Sequence, residues 1–245
     1  EEAETLTALG RIYANLGENQ KAVESLNQAL ALQRAENDIA GQADTLITIG
    51  TLYTALGETQ LSLDLFNQAL ELRRAAEGKL SGNALVFNRV QQAITLSGIS
   101  SIYRSSGQPE KAIASYNQAL ELLRSAGDVR NTAEILNQIS FLYNEAGEKQ
   151  KALDSLNAAL EIQQQIKDSA RAAFTLGNIA GIYQSLGEPQ KALDAYNQAR
   201  EVQRQVGDVG GEANTLKSIA QLYSSLGDYQ LSVDTYNQAL SVFRT

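Results

Sequence analysis

One glycine returns along the chain at a fixed interval, and that interval decides the fold class. It stands at Gly17, Gly57, Gly107, Gly147, Gly187 and Gly227, a spacing of 40 residues with a single step of 50. Four residues before each stands a tyrosine: Tyr13, Tyr53, Tyr103, Tyr143, Tyr183 and Tyr223. Ten residues after each stands an asparagine: Asn27, Asn67, Asn117, Asn157, Asn197 and Asn237. Self-similarity at a period of about 20–50 residues marks an array of stacked units without a single globular core. Six copies fill the 245 residues, at about 1–37, 38–77, 78–127, 128–167, 168–207 and 208–245, and are read as one domain over 1–245.

Within a copy the apolar residues follow a helical period. Leu46, Ile49, Tyr53 and Leu56 precede the glycine, and Leu61, Leu65, Ala69, Leu70 and Leu72 follow it. Each copy is therefore two amphipathic helices. The glycine ends the first helix, at a position that needs a positive φ. Pro109 and Pro189 fall two residues after their glycines, in the first turn of the second helix, where a missing N–H costs nothing. Asn37-Asp38, Gly127-Asp128, Lys167-Asp168 and Gly207-Asp208 read as a helix stop followed by the N-cap of the next copy.

Composition closes off most catalytic chemistry. With no His and no Cys, the chain builds no Ser-His-Asp triad, no Cys-His dyad and no Cys/His zinc site, and it carries no phosphate loop or Gly-x-Ser-x-Gly turn. No enzyme activity, cofactor or metal is expected. The balance of 28 Asp plus Glu against 20 Lys plus Arg, net −8, argues against nucleic acid. No run reaches the ~18 apolar residues of a membrane helix, so no membrane partner is expected either. The lack of cysteine fits a reducing, cytoplasmic setting. The chain opens at Glu1, just before a periodic helix, which reads as a piece of a longer polypeptide.

The pattern within each copy resembles the tetratricopeptide repeat family along essentially the whole chain. The second copy carries it as Leu46, Ile49-Gly50, Tyr53, Gly57, Ser62, Phe66 and Ala69-Leu70; the fifth reads Leu176, Ile179-Ala180, Tyr183, Gly187, Ala192, Tyr196 and Ala199-Arg200. The period of 40 exceeds the usual ~34. Arg34, Arg74, Arg124, Gln164, Arg204 and Arg244 stand where the family has a late proline, so the second helix runs on. This is similar to the longer-period subclass of kinesin light chains, polarity adaptors and bacterial, notably cyanobacterial, multidomain proteins; Gly207 to Ala213 looks most like the bacterial group. The resemblance implies an all-α, right-handed superhelical α-solenoid of six helix-turn-helix repeats. It also implies a non-enzymatic protein–protein interaction scaffold that takes a peptide or protein segment in its concave groove. Two alternatives remain: a self-association module, or the regulatory domain of a larger protein such as a caspase-like peptidase or signalling protein.

Function has to come from residues that vary between copies and face the groove. Counted from the tyrosine register, these include Arg104, then Asn137, Gln138 and Asn144, then Asn178 and Gln184, then Lys217 and Gln221. Amides both donate and accept, which suits capture of a peptide backbone whatever its side chains. Asn178 resembles the asparagine that longer-period adaptors set against bound peptide. The small residues Gly10, Gly50, Ser100, Ala180 and Ala220 and the six tyrosines read as packing. The six asparagines are expected either to bond backbone in the turns between repeats, because Asn is a poor helix former, or to contact a ligand directly.

The step of 50 residues locates a ten-residue insertion between Gly57 and Gly107. Asn83 to Val90 is predicted to continue into the first helix of the third copy, with Gly78 and Gly82 supplying the bend. Leu85, Val86, Phe87 and Val90 then either pack against the long helix of the second copy or form a docking surface for a partner or another copy of the chain. The repeat ends offer a second route to a homo-oligomer.

Overall fold

The computed structural model describes residues 1–244; Thr245, the last residue of the sixth repeat, lies outside them. Every regular element among the described residues is an α-helix: α1 (Glu2–Asn15), α2 (Asn19–Ala35), α3 (Ile39–Ala55), α4 (Thr59–Glu77), α5 (Gly82–Ser105), α6 (Pro109–Ala126), α7 (Val129–Glu145), α8 (Lys149–Gln165), α9 (Ser169–Ser185), α10 (Pro189–Val206), α11 (Val209–Ser225) and α12 (Tyr229–Phe243). They pair as six hairpins, and within each of two compact units, Glu1–Asp128 and Val129–Thr245, successive hairpins stack. This is the repeat architecture of an α-solenoid.

The spacing of tyrosine and glycine follows from how the first helix stops. The six repeat glycines have φ between 69° and 85°. With the glycine left-handed, the next N–H turns back onto the tyrosine carbonyl: Glu18 to Tyr13 at 2.9 Å, Glu148 to Tyr143 at 2.8 Å and Asp228 to Tyr223 at 3.0 Å. That 6→1 bond satisfies a carbonyl the helix would leave orphaned. Between copies the left-handed position is taken by Gly127 and Gly207, or by Asn37 (φ 55°) and Lys167 (φ 56°). The following aspartates cap the next helix: Asp38 accepts from the Gly41 N–H at 2.9 Å, and Asp208 from that of Gly211 at 2.8 Å. Both prolines open their helices.

Small residues set the hairpin crossings. A Cβ on Gly10 would lie 2.6 Å from Leu26 Cγ, and one on Gly50 2.8 Å from Phe66 Cδ2. Ser62 Oγ donates to the Gly50 carbonyl at 2.8 Å, and Ser232 Oγ to that of Ala220 at 2.8 Å. In the first unit Leu30, Ala43, Leu46 and Ala69 form a buried cluster; in the second, Leu156, Ile179, Ala180, Tyr196, Ile219 and Leu222 belong to a larger one. Each buried leucine or isoleucine contributes roughly 1.5–3 kcal/mol relative to exposure.

The tyrosines are half-buried. Lys21, Lys111, Lys151 and Lys191 lie 5.4–5.5 Å from the ring centroids of Tyr13, Tyr103, Tyr143 and Tyr183. Lys191 also pairs with Glu188 at 2.5 Å, and Lys21 and Lys151 pair with Glu18 and Glu148. These carboxylates raise all three ammonium pKa values, by hydrogen bonding first and charge second.

The repeated asparagines do not bond backbone in the turns. All six are exposed on the second helices, and among the described residues none makes a side-chain hydrogen bond. The turns between repeats are closed instead by backbone bonds and the aspartate caps.

Candidate interaction surface on the first helices

The inner stripe of α9 is buried: Ala172, Ala173, Leu176, Ile179, Ala180 and Ile182. The positions left over, at helical spacings of three and four, are Phe174, Gly177, Asn178, Gly181 and Gln184, which therefore share one outward face. Phe174 is 64% exposed. Around Gly177 and Gly181 a Cβ would meet nothing within 4 Å, so no packing reason holds glycine there, unlike at Gly10 or Gly50. The matching face of α7 carries Gln138, Phe141 and Asn144, and that of α11 carries Lys217 and Gln221. α7 and α9 lie side by side, linked by Arg171 and Glu134 at 3.9 Å. Arg171 also reaches Asp168 at 2.6 Å. Burial raises the Asp168 carboxyl pKa, but the Arg171 side chain and N–H more than offset it, so it sits below its ordinary range.

The amides singled out by register do not all occupy this surface. Asn144, Gln184 and Gln221 are exposed and Asn178 is partly exposed, and among the described residues none of these side chains makes a hydrogen bond within the protein. Gln138 makes only a local bond to Glu134, at 3.2 Å. Asn137 is different. It is 9% exposed, its Nδ2 donates to the Ala133 carbonyl at 3.1 Å, and its Oδ1 accepts from Thr175 Oγ1 at 3.1 Å. Its amide is spent inside the unit, joining two first helices. Lys217 is exposed and forms no ion pair among the described residues. Arg104 lies in the last turn of α5 in the first unit, exposed but engaged in an interaction of its own. Phe141 and Phe174, with the two glycines, were absent from the sequence-derived set; the available signal was a large aromatic at groove register.

The insertion continues α5 as expected, and its exposed and inner faces have different fates. Gly82 takes the bend with φ 55°, whereas Gly78 keeps a right-handed helical φ of −64°. Val86 and Phe87 are exposed, Leu85 and Val90 half-buried. The inner face packs on the end of α4 through polar groups: Asn88 Nδ2 donates to the Arg73 carbonyl at 3.0 Å, and Arg89 and Gln92 donate to Glu77 at 2.8 and 3.0 Å. Those bonds, Gln92 first and Arg89 second, depress the Glu77 pKa.

No group of three or more acidic, His or Cys side chains among the described residues could hold a metal ion. No described helix is long and apolar enough to cross a membrane.

Stacked helical hairpins presenting a variable face define a repeat protein of the interaction type. The chain belongs to the tetratricopeptide repeat family, whose profile matches residues 1–75, 91–165 and 171–245 and leaves out the inserted stretch around Phe87. Among curated proteins none matches it in sequence. Solved structures share the fold. BtubC (BKLC) from P. vanneervenii superposes with a TM-score of 0.72 at 17% identity, covering 100% of this chain and 92% of that one. The apo form of RapI gives 0.68 at 17%, covering 100% and 98%. A kinesin light chain-like repeat protein from Podosopora anserina gives 0.60 at 15%, covering 81% and 93%.

Proposed function

We propose that this chain is a non-enzymatic scaffold that binds a peptide or protein segment along the outward faces of α7, α9 and α11, the concave groove of the repeat array. The tetratricopeptide fold serves protein–protein interaction. The observation that carries the site is the face of α9: an exposed phenylalanine, two glycines without a packing role, and amides that bond nothing within the protein. Glycine inside a helix costs about 0.5–1 kcal/mol relative to alanine. Two of them on an open face keep a track where a ligand backbone can approach closely, with Asn178 and Gln184 beside it to hydrogen-bond that backbone and Phe174 to cover an apolar side chain. Lys217 adds a cation for an acidic residue of the partner.

The test is selection of binding peptides from a random display library against the isolated chain, followed by hydrogen exchange with a selected peptide. Protection concentrated on α7, α9 and α11 supports the reading; protection elsewhere, or no enriched peptide, rejects it.

Self-association is the second reading. Val86 and Phe87 of the insertion are exposed apolar side chains that a second copy could cover. Light scattering across a concentration series tests it: a constant monomer mass removes it.

A further inference from the structure

We propose that the inserted segment builds a second, separate binding site in the first unit, for a small amphipathic carboxylate such as a medium-chain acyl acid. The last turns of α4, the first turns of α5 and the N-terminus of α3 enclose a cavity of about 490 Å³. That is within the ~300–1,000 Å³ of small-molecule sites. Leu72, Ala76, Leu80, Ala84 and Phe87 give it apolar walls, and Phe87 closes one side while remaining 61% exposed.

Two of the polar groups on the wall, Arg73 and Lys79, are cationic, beside Asn37, Asp38 and Asn88. Arg73 is 3% exposed. Its Nη2 pairs with Asp44, but its Nε has no partner. The matching positions in the other copies hold Gln33, Leu123, Gln163, Gln203 and Phe243, so the guanidinium is particular to the copy beside the insertion. Burial lowers the Arg73 pKa, with Asp44 only partly opposing it; a second carboxylate relieves that cost. Lys79 lies on the same cavity, exposed and without an ion pair among the described residues. Ile39 and Ala40 bring the start of α3, whose first N–H groups favour an anion. Asp38, the acidic lining residue, has its carboxylate engaged in capping Gly41.

A neutral apolar ligand would use the walls and leave Arg73 as it is. A carboxylate with a short apolar tail uses both. The family profile skips residues 76–90, which supply Ala76, Lys79, Leu80, Ala84 and Phe87 to the wall, whereas Leu72 and Arg73 lie in the matched stretch 1–75. It shares no residue with the surface on α7, α9 and α11, and either assignment can fail without the other.

The experiment is calorimetric titration of the intact chain with octanoate and, separately, octan-1-ol. Three variants are compared, each checked for unchanged helical circular dichroism. Arg73→Gln introduces the residue that three other copies already hold at this position. Lys79→Gln changes an exposed side chain, and Ala84→Trp fills the cavity. The expected result is one saturable octanoate site, weakened about tenfold by either charge variant while octan-1-ol changes less than about threefold. Ala84→Trp should abolish binding of both. Absence of saturable octanoate binding, equal losses for acid and alcohol, or binding that survives Ala84→Trp overturns the proposal.

Discussion

Asn137 and Thr175 share a hydrogen bond of 3.1 Å between neighbouring first helices of the second unit. The same pair of register positions in the first unit is Thr7 and Thr45, whose hydroxyls lie 3.4 Å apart. The contact is thus a repeated joint between copies, and it separates two roles that the amides of this region could have. Asn137→Ala should lower stability by about 1–2 kcal/mol, because it leaves the buried Thr175 hydroxyl short of a partner. It should leave peptide affinity unchanged, whereas Asn178→Ala should weaken binding without altering the urea midpoint. Urea melts paired with binding isotherms check both.

In the buried ladder of polar residues at the ends of the second helices, Gln163 is the least satisfied. Gln163 is 1% exposed, and neither its Nε2 nor its Oε1 has a partner. Gln33 and Gln203 lie beneath Gly41 and Gly211, where there is no Cβ; the matching position over Gln163 is Arg171. Leu123 fills the same register in the third copy and is fully buried. Gln163→Leu should therefore raise stability by about 1–3 kcal/mol, read as a higher thermal midpoint.

Glycines of the first helices should respond in opposite directions according to what stands opposite the missing Cβ. Gly177→Ala and Gly181→Ala should each stabilise the chain by about 0.5–1 kcal/mol, since no atom opposes the added methyl, and should weaken peptide binding. Gly98→Ala should destabilise by about 1–3 kcal/mol, because its Cβ would stand 2.3 Å from Cε1 of the buried Phe66. Melting curves of the three variants give the signs directly.

Most of the fold was legible in the sequence because its decisive contacts are local. Gly57 reports a left-handed turn, Asp38 a cap and Pro189 a first turn, and each acts within a few residues of itself. Asn137 was misplaced because register counting assigns a face but not what the next helix sets against that face. The exposed asparagines were misjudged for a related reason: propensity asked for a bond, and the backbone had already closed every turn. The cavity beside Arg73 was out of reach, since it depends on how α5 leans over the start of α3, separated by more than 40 residues of chain.

The bonds at Glu77 predict an acid-sensitive joint at the base of the insertion. Its folded pKa is lower than the ordinary 4.5, so the stabilisation is fully present above about that pH and fades as pH falls through the lowered folded value. Glu77→Gln should cost about 1 kcal/mol near neutrality, the side chain being partly exposed. The difference from the parent chain should shrink below pH 4.5 in urea melts collected across a pH series.

The proposed hold of the α9 and α11 amides on a peptide is tested most directly by the affinity of a display-selected peptide for the parent chain and for an Asn178→Ala, Gln184→Ala, Gln221→Ala variant with the same thermal midpoint. The expected result is a loss of at least about tenfold, the equivalent of ~1.4 kcal/mol. An unchanged affinity in the folded variant would contradict it.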